Sequence, residues 1–220
     1  MRRPVIFTLW RVLIGLVLVV GFPFAVSGQK YVETLEYLRM SIDASGLAYD
    51  KLEETEVYVV SVAKSLSGKD HSTTVSDLDL MNLRKACDKM EGLVRESLDL
   101  LGQTLRVTED AEREVDAESC SESWEQVSSA KAKFEKSVDL LRRGCHEFEL
   151  AQDQDNFESI LNYVKQAVQH LMLGKTCHEE GQEALRSSAK WLQQRIILIM
   201  MSDFFLRSNL RKRQSGLKHC

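Results

Sequence analysis

Two short stretches of this chain carry residue types that could do chemistry: GCHEFE, beginning at Gly144, and KTCHEEGQE, beginning at Lys175. In each, a cysteine is followed directly by a histidine and a glutamate. Such a pair could supply metal ligands, an activated thiolate beside a base, or two ends of disulfides. Adjacent residues on a helix point about 100° apart, so Cys145 and His146 cannot both face one ion, and the histidine is expected on the outside. A nucleophilic thiolate needs a base within hydrogen-bond reach. Spacing supplies none, because His170 and His178 are about 12 Å apart along a helix. Disulfide ends are therefore the expected role, with no catalytic residue, metal site or cofactor, and with Glu147 and Glu179 on solvated faces.

The elements that must position these cysteines begin with the compartment. Arg2 and Arg3 precede an apolar run, Val12 to Val26, that ends in small residues at Ala25-Val26-Ser27-Gly28. This pattern reads as a secretory leader over residues 1–28, with an uncleaved anchor as the alternative. Its removal takes three arginines and no acid, so the net charge moves from −4 to −7. An acidic chain is not built to displace counterions from nucleic acid over a wide surface. Both prolines, Pro4 and Pro23, leave with the leader, so nothing in the remainder interrupts a long helix by removing a backbone donor. Asn82, Asn156, Asn162 and Asn209 all lack the hydroxyl residue that N-glycosylation needs two positions on.

Apolar spacing predicts helices throughout. The first carries Tyr31, Leu35, Leu38, Ile42, Tyr49, Leu52, Val59 and Leu66, with a break expected at Ser45-Gly46. The second is capped by Ser76 and carries Leu83, Cys87, Met90, Val94, Leu98, Leu101 and Leu105. An acidic connector without apolar periodicity, Thr108 to Glu118, follows. The third opens on a capping box at Ser123 and Gln126 and carries Trp124, Val127, Phe134, Val138, Leu141, Cys145 and Phe148. The fourth starts at Asp155 and carries Phe157, Leu161, Val164, Val168 and Leu171, then Cys177, Leu185 and Leu192, with a kink or short break expected at Gly174. The very apolar segment Ile196 to Leu206 is expected to fold over the core as a last helix. Arg207, Arg211, Lys212, Arg213 and Lys218 form a basic tail over residues 207–220.

Each stripe occupies a single face, and short connections make consecutive helices antiparallel. The expected fold is all-α, an up-and-down antiparallel four-helix bundle over residues 29–206 with a C-terminal helical extension. Five cysteines in an exported chain imply disulfides. Cys120 and Cys145 lie at opposite ends of the third helix and cannot pair. Heights along the bundle favour Cys87 with Cys145 and Cys120 with Cys177, leaving Cys220 as a free thiol.

The run Leu83-Arg84-Lys85-Ala86-Cys87-Asp88-Lys89-Met90, with Leu98 after it, resembles the cysteine-bearing helix pattern of the plant invertase and pectin methylesterase inhibitor domain. Cys145 with Glu147 and Phe148 resembles that family's second pattern. Thr176-Cys177-His178-Glu179 is the other counterpart. The family's N-terminal cysteine pair has no equivalent in Gln29 to Lys51, and the acidic connector lengthens the span between Cys87 and Cys145. The resemblance implies a secreted, apoplastic, non-catalytic inhibitor whose bundle surface occludes a pectin methylesterase or an invertase. It implies no nucleic acid partner and no membrane contact once the leader is removed. A secreted cytokine-like signalling bundle is the alternative from size, leader and cysteines.

Overall fold

The computed structural model describes residues 26–67, 77–115, 117–118 and 120–216. Four helices and no strand occur among them: α1 (Val26–Ser67), α2 (Asp77–Glu114), α3 (Ser121–Gln152) and α4 (Phe157–Gly216). Most of the leader, the cap at Ser76, the loop around it, Lys218 and Cys220 lie outside the described residues.

The helices pack in a ring, α1 against α2 and α4, and α3 against α2 and α4. This is the up-and-down antiparallel order expected of short connections. Two apolar clusters fill the interior. One gathers Leu52, Met90, Leu101, Leu141, Phe148, Ile160 and Leu171. The other gathers Leu38, Ala111, Val127, Phe134, Leu185 and Leu192.

Both expected breaks are absent: α1 runs through Ser45-Gly46 and α4 runs through Gly174. At Ser45 the chain is held from two sides. Its hydroxyl donates to the Ile42 carbonyl at 2.9 Å, and its own carbonyl accepts from side chains of α4. At Gly174 the missing side chain is what permits close packing, because a Cβ there would stand 2.2 Å from Leu141 Cδ1. The Gly174 carbonyl also accepts a bond from Ser137 Oγ at 2.8 Å. Gly174 thus lets two helices approach rather than ending one of them.

The acidic connector is also helical as far as Glu114, with Thr108, Ala111 and Val115 buried. Thr104 and Thr108 lie on the buried face and return their hydroxyls to carbonyls one turn back, at 3.0 and 2.8 Å. A stripe that continues in threonine does not register as apolar. At the start of α3, Cys120 takes the capping position without a side-chain bond, and Ser123 is buried against Ser188 at 2.6 Å instead of capping. Trp124 is correspondingly turned outward. Asn156 rather than Asp155 caps α4, its Oδ1 accepting from the Ser159 amide at 2.8 Å.

The last expectation to fall concerns Ile196 to Leu206. This segment does not fold back over the core; it continues α4. The core-facing stripe ends at Leu192, and Ile197, Leu198 and Met201 are exposed.

Gly46, Gly92 and Gly102 meet nothing within 4 Å of an added Cβ. Glycine costs a helix interior about 1 kcal/mol relative to alanine. Each of Gly46→Ala, Gly92→Ala and Gly102→Ala is therefore expected to raise stability by about 1 kcal/mol, measured by urea denaturation with an unchanged m-value.

Candidate functional site: a buried polar layer around His178

The four cysteines expected to be bridged, Cys87, Cys145, Cys120 and Cys177, are all buried thiols. The register between helices explains why. Arg95 on α2 meets Glu149 on α3 at 2.6 Å, and Glu91 accepts from Gln152 at 2.8 Å. Cys145, one turn before Glu149, therefore stands level with residues just past Arg95. Cys87 lies eight positions before Arg95, an axial offset of about 12 Å or more, beyond the ~7 Å Cα separation a bridge allows. The early turns of α2 overhang the end of α3, so Arg84 reaches the Gln154 carbonyl at 2.7 Å and Asp155 at 2.8 Å in the turn that follows.

Between α3 and α4, Ser123 faces Ser188 and Ser137 faces Gly174. Cys120 is thus level with residues beyond Ser188, whereas Cys177 precedes Ser188 by eleven positions, about 16 Å along the axis. Cys177 lies 20 residues into α4 whereas α3 spans 32, so it has not returned to the end of α3 where Cys120 stands.

Burial makes these thiols poor nucleophiles. The Cys87 thiol is pushed up to about 11 by desolvation. Burial also raises Cys145 to about 11, against the opposing charge of Arg95. The reactive species is the thiolate. Alkylation of Cys87 and Cys145 in the native protein at neutral pH is expected to be slower than in denaturant by on the order of a hundredfold, followed by mass spectrometry of the labelled peptides.

The two Cys-His-Glu stretches behave differently. At Cys145 the expectation holds, with His146 exposed and its Nδ1 3.4 Å from Glu149. At Cys177 it does not: His178 is wholly buried. It sits between the two apolar clusters in a layer with Ser41, Ser45, Thr104, Thr108 and Gln182, all buried polar residues. His178 Nε2 lies 2.8 Å from the Ser45 carbonyl, and Gln182 Nε2 donates to the same oxygen at 2.7 Å. A carbonyl only accepts, so Nε2 carries the ring proton and Nδ1 is the bare nitrogen. Nδ1 and Ser41 Oγ have no hydrogen-bond partner. The ring stacks on Tyr49 at 6.5 Å between centroids and tilts against Phe134 at 5.0 Å. The arrangement clamps α4 onto α1.

Outside the clamp, α1 and α4 form a groove around Gly46, lined by Tyr49, Asp50, Glu179, Glu183, Arg186 and Lys190. The Tyr49 hydroxyl is raised above its ordinary value by partial burial and by its bond to Glu179. Among the described residues no group of three histidine, cysteine or carboxylate side chains is placed to hold a metal.

No protein-family model matches the chain, and no curated protein or solved structure matches it. The likeness to the inhibitor domain therefore stands on the residues quoted for it.

Burial lowers the pKa of His178, against the bond to Ser45. An unfolded histidine takes its proton near pH ~6.5, and a charged ring in this layer would present Nδ1–H to no acceptor. Below about pH 6.5 the unfolded chain thus binds more protons than the folded one, and stability falls as pH drops toward the folded value. Urea midpoints measured between neutral and mildly acidic pH are expected to show this loss. His178→Gln, which keeps a donor for Ser45, is expected to flatten it.

Proposed function

We propose that this chain is a non-catalytic helical bundle that works by presenting its α1–α4 face to a protein partner. The observation that carries the reading is the groove around Gly46. Its floor is fixed by the two hydrogen bonds that His178 and Gln182 donate to the Ser45 carbonyl, and its rim bears charges of both signs and an aromatic ring. A surface ordered before contact loses little freedom on binding, which favours affinity without requiring chemistry. Glycine at position 46 leaves a notch into which a partner's side chain can reach.

The partner class implied by the resemblance is a cell-wall carbohydrate enzyme, pectin methylesterase or invertase, whose cleft the bundle would occlude. Secretion to the apoplast belongs to the same proposal and rests on the leader-like sequence, since the thiols do not argue for an oxidising compartment. The signalling-bundle alternative is less well supported. Its up-up-down-down form uses two long crossovers, whereas consecutive helices here are joined by short connections such as 68–76 and 153–156.

Assays of pectin demethylation and sucrose hydrolysis with the purified chain added in excess test the proposal. Inhibition of one enzyme, lost in Gly46→Arg while the fold is retained, is the expected result. Undiminished activity of both enzymes would remove the inhibitor reading.

A further inference from the structure

The distal part of α4 carries a second apolar face that the bundle does not use. The inward stripe of α4 ends at Leu192, with Trp191 and Ile196 partly buried against the cluster of Leu38, Phe134 and Leu185. On the outward side Ile197, Leu198, Met200 and Met201 are between 37% and 59% exposed. Residues 197, 200 and 201 share one face at helical spacing. Charge segregates immediately beyond. After Asp203 the chain has no acidic residue and carries Arg207, Arg211, Lys212, Arg213 and Lys218, although its overall net charge is −4.

The position of this segment in the fold narrows what can cover it. Tyr31 near the start of α1 packs in the same cluster as Trp191 and Ile196. Thr34 Oγ donates to the Glu114 carbonyl at the end of α2, at 3.3 Å. The start of α1 and the distal part of α4 therefore share one end of the bundle. The chain enters α1 there, directly after the apolar run Val12 to Val26. The distal part of α4 thus carries an exposed apolar face at this pole, and the basic cluster follows it in the sequence.

From this we infer that the distal part of α4 is a docking surface for an anionic phospholipid bilayer. Apolar side chains enter the boundary between headgroups and acyl chains, and the arginines and lysines engage lipid phosphates and carboxylates. Among the described residues no helix is long and apolar enough to cross a membrane; the mode proposed for this exposed apolar face is association along the surface. Helices that bind this way combine exposed aliphatic or aromatic residues with clustered basic ones, as residues 197–213 do. This departs from the expectation of no membrane contact after leader removal, and it does not depend on the inhibitor proposal.

Flotation of the full-length chain with phosphatidylcholine vesicles, with and without phosphatidylserine, tests the inference. Binding is expected only with phosphatidylserine and should weaken as salt is raised. Arg211→Gln/Lys212→Gln/Arg213→Gln and, separately, Ile197→Asp/Met201→Asp are each expected to weaken it by about tenfold or more. Circular dichroism and thermal melting identify any variant that has lost its fold. The inference is overturned if the wild-type chain stays behind with phosphatidylserine vesicles. It is also overturned if both folded variants float as well as the wild type, which would place binding elsewhere in the chain. Sedimentation showing a stable dimer that buries this face and ignores vesicles would overturn it in favour of self-association.

Discussion

Phe134→Ala is expected to lower the unfolding free energy by about 3–5 kcal/mol, the range for removing a fully buried aromatic ring. Phe134 is completely buried in the cluster with Leu38 and Leu185, packs on the Gly181 backbone and tilts against His178 at 5.0 Å. Its removal would open a cavity beside the polar layer, so the clamp between α1 and α4 would loosen along with the apolar core. For a chain of this size the corresponding fall in Tm is on the order of 10 °C. Phe134→Leu, which keeps much of the volume, should lose substantially less. Chemical denaturation of the three proteins measures both effects.

Gly181→Leu is expected to be destabilising although leucine is the better helix former. A Cβ at Gly181 would stand 2.6 Å from Phe134 Cε1 and 2.9 Å from Cδ1. The neighbour is a rigid, buried ring held against His178, so the strain cannot be relieved by moving a flexible chain end. Overpacking costs typically about 1–3 kcal/mol, occasionally more. It outweighs the propensity gain of about 1 kcal/mol, and a leucine adds further atoms to the clash. The sign is the opposite of that expected at Gly46, Gly92 and Gly102, although all four glycines are helical. Combining Gly181→Leu with Phe134→Leu should recover part of the loss, since the two sites share one volume and their effects are not additive.

Much of the architecture was legible because it rests on apolar periodicity and the absence of proline. Leu83 to Leu105 on α2 and Val127 to Phe148 on α3 are core positions or lie beside the core, as their spacing predicts. The misread boundaries share one physical cause. Where helices approach closely, the buried face is built from small polar residues that satisfy themselves on their own backbone or on a neighbour. Thr104 and Thr108 extend α2 in this way, Ser123 and Ser188 join α3 to α4, and Thr55 and Ser97 join α1 to α2 at 3.1 Å. Hydropathy reads such positions as loop or cap. Gly174 was misread for a related reason, since it marks close approach within a helix rather than its end.

His178 shows what sequence spacing alone cannot reach. Cys177 and His178 are both buried, with His178 turned toward Ser45 of α1. At Cys145 only one of the two neighbouring positions is covered. A usable signal was nevertheless present. His178 and Gln182 are one turn apart, with Gly181 between them, and two polar donors at that spacing beside a glycine can grip one carbonyl on a closely packed helix. The cysteine pairing failed on register. Bridge distances depend on how far each residue lies along its helix, and Cys177, 20 residues into α4 beside a 32-residue α3, falls well short of Cys120.

The register between helices underlies the unbridged thiols, the polar layer and the groove alike, and a cross-link tests it most directly. Ser123 and Ser188 face each other at 2.6 Å. In the double variant Ser123→Cys/Ser188→Cys, mild oxidation followed by digestion without reductant should yield a peptide joining positions 123 and 188. Cys87, Cys145 and Cys177 should be recovered as thiols. Recovery of Cys87 joined to Cys145, or of Cys120 joined to Cys177, with positions 123 and 188 left unlinked, would contradict the helix alignment on which the site depends.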